Sequence, residues 1–264
     1  METHYLNIPA ITTPLAMHLH SQNDACVSKQ IREAGIWEPY ETALILAHLC
    51  RGGVFLDIGA NIGYYTLLAA VVVGEEGLVV AYEPDEDNFT LLRKNLVLNN
   101  LTNARLVHAA VADYTGSGFI YRSEDNSGDH QLYDNGDGRC RRPAAVVHGG
   151  YHVREITRRV DFIKIDTQGS ETAILEGLTD VILENRDHLA MIVEFWPYGL
   201  RKAGSSARAM LDVLAVFDMS LHLIDHIGCR IHAVCRQCLE TWVADVESDP
   251  ENQGFVNLLV LPHS

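Results

Sequence analysis

Two carboxylates and a glycine–asparagine loop are the residues of this chain best placed to do chemistry. The stretch Val54-Phe-Leu-Asp-Ile-Gly-Ala-Asn-Ile-Gly63 runs from a short apolar segment into Gly59, Asn61 and Gly63, then into a helix beginning near Tyr64. Glycine permits a tight turn and close backbone approach to a ligand, and asparagine is among the few other residues tolerating left-handed geometry. The helix that follows presents unpaired N–H groups at its start. Loops of this kind hold nucleotides at the carboxyl ends of parallel strands. The spacing Gly-x-Asn-x-Gly departs from the Gly-x-Gly-x-x-Gly dinucleotide fingerprint. Asp57, just ahead of Gly59, is a poor neighbour for a pyrophosphate and a good one for a ligand carrying an ammonium and a sulfonium. Glu83 ends the next apolar run, twenty residues after Gly63. A carboxylate there can accept hydrogen bonds from both ribose hydroxyls. The plainer alternative is an ordinary strand–turn–helix joint followed by a surface glutamate.

The elements that must position these groups follow from apolar patterning. Val54 to Ile58, Leu78 to Tyr82, Ala104 to Ala112, Val160 to Ile165 and Leu189 to Phe195 are short apolar runs with the character of buried strands. Between them, Tyr64 to Val73, Asp85 to Asn99 and Glu171 to Glu184 read as helices, with Asp85 as the N-cap of the second. Ala207 to Phe217 is a further helix, and Leu221 to Asp225 and Phe255 to Leu261 are strand-like, separated by a Cys-rich segment and an acidic loop. Alternation of strands and helices implies a doubly wound α/β sheet with helices on both faces. Residues 114 to 150, rich in Gly, Asp, Ser and Asn, form a long irregular insertion with room for a hairpin. Residues 1 to about 30 show no sustained periodicity and read as a loosely structured arm. Two short helices fit residues 28 to 50. The chain therefore divides into an N-terminal extension, 1–36, and one domain, 37–264.

Several stretches closely resemble the FkbM family of class I methyltransferases. They are Trp37-Glu-Pro-Tyr-Glu41, Asp57-Ile-Gly-Ala-Asn-Ile-Gly-Tyr-Tyr-Thr66, Ala81-Tyr-Glu-Pro-Asp85, Asn95-Leu-Val-Leu-Asn99, Asn126-Ser-Gly128 and Asp161-Phe-Ile-Lys-Ile-Asp-Thr-Gln-Gly-Ser-Glu171. The resemblance implies the class I, Rossmann-like fold: a seven-stranded sheet whose last strand, Phe255 to Leu261, is antiparallel and paired with Leu221 to Asp225. It implies S-adenosylmethionine as donor and, usually, O-methylation. Asp57, Gly59, Ala60, Asn61, Gly63, Tyr65 and Thr66 would then line the methionine part, and Glu83 and Pro84 the ribose. Val111, Ala112 and Asp113 would lie near the adenine, and Asp166 beside the transferring methyl. Trp37, Glu38, Tyr40 and Glu41 precede the first strand and can close over donor or acceptor, with helix packing as the alternative.

Methyl transfer from a sulfonium is an in-line displacement, and a hydroxyl acceptor must also lose a proton. Asp166, Gln168 and Glu171 are candidates to orient or deprotonate the acceptor, although Glu171 equally suits the first turn of a helix. Asp166 and Glu194, on neighbouring strand ends, could hold Mg²⁺, although no metal is expected and solvated carboxylates are the simpler reading. His130, in the insertion, is a possible general base. Cys229, Cys235 and Cys238, with His226 and His232 nearby, contain one C-x-x-C, which permits zinc without requiring it.

With 264 residues, 47% apolar, the chain is of ordinary globular composition. Its net charge of −15 argues against non-specific binding to nucleic acid or anionic membrane, leaving the arginines near 139–142 and 154–159 as local exceptions. Neither a spanning segment nor a secretory signal is evident, so a cytoplasmic setting is expected. The expected activity is methylation of a hydroxyl on a sugar, polyketide or similar small metabolite. An RNA-modifying methyltransferase and an NAD-binding oxidoreductase on a similar sheet remain as alternatives.

Overall fold

The computed structural model describes residues 2–20, 24, 26–123, 128–134 and 136–263, so Asn126 and Ser127 of the Asn126-Ser-Gly128 motif lie outside the described residues. The chain opens with strands β1 (Thr3–Tyr5) and β2 (Ala16–His18) and helices α1 (Val27–Ala34) and α2 (Pro39–His48). Then come β3 (Val54–Ile58), α3 (Tyr64–Val73), β4 (Leu78–Tyr82), α4 (Glu86–Leu98), β5 (Ala104–Val107) and β6 (Ala110–Ala112). The insertion holds β7 (Gly116–Arg122), β8 (Cys140–His148) and α5 (Gly149–Ile156). After it follow β9 (Phe162–Ile165), α6 (Glu171–Asn185), β10 (Ala190–Phe195), α7 (Pro197–Lys202) and α8 (Ala207–Val216). The last elements are β11 (Ser220–Asp225), β12 (Arg230–Ala233), α9 (Arg236–Glu247) and β13 (Val256–Leu261).

The central sheet has the order β12-β11-β13-β10-β9-β3-β4-β5. From β10 to β5 every pairing is parallel, and β13 is antiparallel to both β10 and β11. The seven expected strands are present, and β12 adds an eighth at the edge. All four of its residues are exposed, and at four residues, Arg230-Ile-His-Ala233, the run is too short and too polar to stand out as a buried strand. Every residue of β3, β9 and β10 is buried. Their side chains alternate between two cores, as a period of two requires. Leu56 and Ile58 join a core with residues of α5, α6 and α8, while Phe55 joins one with residues of α1, α2 and α3. The chain winds outward in opposite directions from β3 and β9. That reversal opens a crevice at the carboxyl ends of these strands.

Two expectations are corrected. Residues 104–112 are not one strand: Ala109 turns back to bond the Val107 carbonyl at 3.0 Å, and β6 leaves the main sheet to pair in parallel with β8. The insertion is a three-stranded sheet, β6-β8-β7, whose long β7–β8 hairpin stands beside the crevice. The N-terminal residues are likewise not a loose arm. β1 and β2 pair, Leu15, Met17 and Leu19 are buried, and α4 clasps β2 through two asparagines. Asn95 Oδ1 accepts from His18 N at 2.7 Å, and Asn99 Oδ1 accepts from Ala16 N at 2.9 Å. Strands of three residues are too short to show periodicity, and their partner lies about eighty residues away in sequence. No helix among the described residues is long and apolar enough to cross a membrane.

Candidate active site

The loop after β3 is shaped by what it must pass. Gly59 has φ +84°, and a Cβ there would lie 2.0 Å from the Asp166 carbonyl oxygen at the end of β9. Asn61 is left-handed at φ +50°, and its Oδ1 accepts from Ile62 N at 2.6 Å. Gly63 has φ +91°, and a Cβ there would lie 2.3 Å from Leu92 Cδ1. The backbone therefore needs glycine at 59 and 63 for two different neighbours.

Below the loop, Asp57 is buried and accepts from Thr66 Oγ1 at 2.5 Å. Burial pushes its carboxyl up to about 6 against that hydrogen bond. Glu83 is also buried, at the end of β4. Its Oε2 accepts from Asn61 N at 2.7 Å and its Oε1 from Asp85 N at 2.8 Å. Burial raises it to about 8. A carboxylate has about four acceptor positions, so Glu83 keeps capacity for further donors.

Glu83 and Pro84 line a pocket with Ile58, Ala110, Val111 and Ile174. Its aliphatic walls and the Glu83 carboxylate suit a purine nucleoside: a flat base between aliphatic side chains and a diol at Glu83. Ala109, Ala110 and Val111 face this pocket; Ala112 and Asp113 do not line it. Ala112 instead presses its carbonyl against Gly177 of α6, where a Cβ would meet it at 2.2 Å. His130 lines the same pocket but not the wider cleft into which it opens, its Nδ1 accepting from Ser123 N at 3.2 Å, and burial lowers its pKa. That position does not suit a base for the acceptor.

The pocket opens through Gly59, Asn61, Asp166 and Gln168 into a wider cleft. The cleft has an empty volume of about 1940 Å³, including the solvent at its mouth. Aromatic side chains stand along its walls, among them Trp37, Tyr65, Trp196, Tyr198 and Phe255, and its buried or half-buried charges are Glu38, Asp129, Arg139, Lys164, Asp166 and Glu194. Gly128 and Asp129 of the insertion also border it. Tyr40 is not among its lining residues.

Lys164 is the residue that sequence reasoning missed. It sits within β9 two positions before Asp166, on the same face of the strand, and is buried. Its Nζ donates to Asp166 Oδ2 at 2.8 Å, stands 3.8 Å from Glu41 Oε1 and lies 4.8 Å from the Tyr65 ring centroid. Burial opposes its charge, but Asp166, Glu41 and Glu38 together raise its pKa above the ordinary lysine value. Burial alone would raise Asp166, yet Lys164 holds it below the ordinary carboxylate value. A lone lysine in an otherwise apolar buried run, Phe162-Ile-Lys-Ile165, was the available signal.

Gln168 and Glu171 part company. Gln168, left-handed at φ +57°, reaches between two strand ends. Its Nε2 donates to Asp166 Oδ1 and Glu194 Oε2, both at 3.1 Å. The amide thus occupies the space between Asp166 and Glu194 in which a Mg²⁺ would have to sit. Glu171 lines neither cavity. Its carboxylate accepts from Thr167 N and Oγ1 at 3.0 Å and from Gly169 N at 2.9 Å, so it staples the loop after β9. As a candidate to handle the acceptor it is corrected to a residue that shapes the loop.

The cysteine cluster does not assemble a zinc site. Cys235 and Cys238 adjoin at 3.0 Å on the first turn of α9, whereas Cys229 Sγ donates to the His226 carbonyl in the β11–β12 turn. His226 approaches Glu41 and His232 approaches Asp225.

Glu41, fully buried in the first turn of α2, is pushed up to about 8 by burial and by Glu38. A carboxyl with a higher pKa folded than unfolded keeps its proton longer in the native state. Its contribution to stability is then complete below about pH 4.5 and lost by about pH 8. Urea unfolding should accordingly show stability falling between pH 5 and pH 8, with a shallower fall in Glu41→Gln. An equal slope in the variant would remove Glu41 as a source.

A family model described as the methyltransferase FkbM domain matches residues 57–217. Among curated proteins, a probable cobalt-precorrin-6B C(15)-methyltransferase (decarboxylating) of Sulfurisphaera tokodaii is 42% identical over 65 residues. That alignment covers 25% of this chain and 34% of the relative, so only about a third of the relative's length is matched. Among solved structures, the methyltransferase FkbM of Methylobacillus flagellatus KT is 18% identical with a TM-score of 0.46, covering 78% of this chain and 43% of that one. An rRNA methylase of Streptococcus thermophilus is 10% identical with a TM-score of 0.46, covering 85% of this chain and 95% of the other.

Proposed function

The chain belongs to the FkbM methyltransferase family, and from that membership we propose that it transfers the methyl group of S-adenosylmethionine to a hydroxyl of a small molecule. The observation that carries this reading is the continuity of the two cavities. A nucleoside-shaped pocket at Glu83 opens into an aromatic-walled cleft, and Asp166 and Gln168 line both. A donor lying across Gly59 and Asn61 would present its sulfonium at that junction. Asp57, Ala60, Gly63, Tyr65 and Thr66 would support or border its methionine end.

The step forms an O–CH₃ bond and breaks the S–CH₃ bond, turning the sulfonium into a neutral thioether. The hydroxyl proton becomes acidic as its oxygen gives up electron density, and Asp166 is the group we assign to receive it. Lys164 keeps that carboxylate ionised, so its part is to orient the hydroxyl and take the proton late in the displacement. Gln168 fixes the Asp166 side chain toward Glu194. A small acceptor is supported by the net charge of −15 and by the pairing of three of the six arginines in the 139–142 and 154–159 runs, Arg141, Arg142 and Arg158 being exposed. Arg139 is bound to Asp129 and Asp137, Arg154 to Asp180 and Glu184, and Arg159 to Asp161. On this reading residues 37–264 carry the transferase and residues 1–36 are an N-terminal extension packed onto its core.

Glu83→Ala removes the acceptors for the ribose diol. Calorimetric titration with S-adenosylmethionine should show affinity reduced roughly 10- to 100-fold, from two hydrogen bonds of about 1 kcal/mol each lost together. Unchanged affinity would place the donor elsewhere. Binding of NAD without S-adenosylmethionine would overturn the reading, and methylation of RNA in preference to small hydroxyl compounds would replace its acceptor.

A further inference from the structure

The wall of the cleft beneath Trp37 holds a cluster that the methyl-transfer reading does not use. Glu38, the left-handed residue that precedes α2, and Glu41, in the first turn of that helix, lie close together at its start. His226 comes from the turn between β11 and β12, more than 180 residues away in sequence. One side-chain oxygen or nitrogen from each of the three lies within 4.8 Å of the others. Ligands about 2.1 Å from a common ion stand at most about 4.2 Å apart, so these side chains need to close by only a few tenths of an ångström.

Glu41 supplies the second observation. It is fully buried, and its Oε1 has no hydrogen-bond partner among the described residues. A buried carboxyl oxygen left without a hydrogen-bond partner is costly, and a bound cation would satisfy it. Lys164 meets that need only through a long ion pair, because its Nζ donates to Asp166 at 2.8 Å and stays 3.8 Å from Glu41 Oε1, beyond hydrogen-bond reach. Four acidic side chains, Glu38, Glu41, Asp166 and Glu194, thus gather around one buried lysine. The outer contacts also suit a bound ion. Tyr65 donates its hydroxyl to Glu38 Oε2 at 3.0 Å, and Asn257 Nδ2 donates to Glu41 Oε2 at 2.6 Å, which orients both carboxylates. Glu38 and Asn257 line the cleft, so an ion here would keep positions open to it.

We propose that Glu38, Glu41 and His226 bind one divalent first-row transition-metal cation at the wall of the cleft. Two carboxylates and an imidazole suit such ions, and the open positions suit an oxygen ligand from the cleft. The site stands on these residues alone and is independent of the identity of the methyl donor. Manganese(II) is the appropriate probe, because exposed thiols such as Cys229, Cys235 and Cys238 compete poorly for it.

Titration of the full chain with Mn²⁺, followed by loss of the free-ion electron paramagnetic resonance signal, should reveal one site per chain. Affinity should fall about tenfold or more in Glu41→Gln and in His226→Ala. His226 is on an exposed turn, so its variant is informative even if Glu41→Gln fails to fold. Failure of the wild-type chain to take up Mn²⁺ at millimolar concentration overturns the proposal, as does wild-type affinity in His226→Ala.

Discussion

Gly59→Ala should abolish donor binding and destabilise the fold by roughly 3–5 kcal/mol, among the largest effects of any single methyl group in this chain. Two penalties act together. The left-handed backbone at φ +84° is itself worth about 1–3 kcal/mol of strain for a residue with a Cβ. The new carbon would also fall 2.0 Å from the Asp166 carbonyl oxygen, a backbone atom that no rotamer change can move. Relief requires the ends of β3 and β9 to part. Asp166 N donates to the Ile58 carbonyl at 3.1 Å, so parting breaks the last bond between these strands. It also separates Asp57 and Asn61 from Asp166 and Gln168, on which the proposed transfer depends. Urea unfolding and donor titration of the same preparation measure both effects. Near-wild-type values in both would show that these strand ends do not meet as described. Gly52, with φ +75° but nothing within 4 Å of its added Cβ, is the matched control and should lose only the conformational part.

Lys164→Met should cost about 1–3 kcal/mol of stability, because it leaves the half-buried Asp166 carboxylate without its cation and solvent relieves only part of the loss. The methionine fits the apolar stem of the lysine, and the loss is therefore electrostatic. Asp166 would no longer be held below the ordinary carboxylate value, and burial would push it up. The pH profile of turnover should then shift upward on its acidic limb, because the variant's Asp166 ionises later. A variant that loses stability with an unmoved acidic limb would make Lys164 a structural residue only. Lys164→Arg keeps the charge, and it should restore the acidic limb while remaining imperfectly packed against Tyr65.

Much of the scaffold was legible before any coordinates. α3 and β4 begin and end where the apolar runs do, and Asp85 caps α4 as its sequence position indicates, accepting from Asp87 N and Asn88 N. These features are local. A five-residue apolar run bounded by turn residues has few alternatives to a buried strand, and a side-chain cap depends on neighbours within one turn. Gly59, Asn61 and Gly63 were legible for the same reason, since a left-handed backbone excludes most other residues. Which surface each glycine faces was not legible. Leu92 and the Asp166 carbonyl come from other parts of the chain.

What only the tertiary structure decided is of one kind: pairings between distant residues. The same acidic letter codes three outcomes here. Glu83 faces a pocket, Glu171 turns back into its own loop, and Glu41 is sealed beneath α2 against residues of β9 and β13. Burial and partner choice separate them, and neither is written in residue type. His130 lines the pocket of Glu83 rather than the cleft floor, and Lys164 emerged as the counter-charge of a buried acidic group once β9 was laid beside β3. By itself the sequence determined a parallel sheet, a glycine–asparagine loop at the end of β3, and acids at the ends of β3, β4 and β9. Packing decided which of those acids stay charged, because the free energy of a buried carboxylate depends on the few ångströms around it.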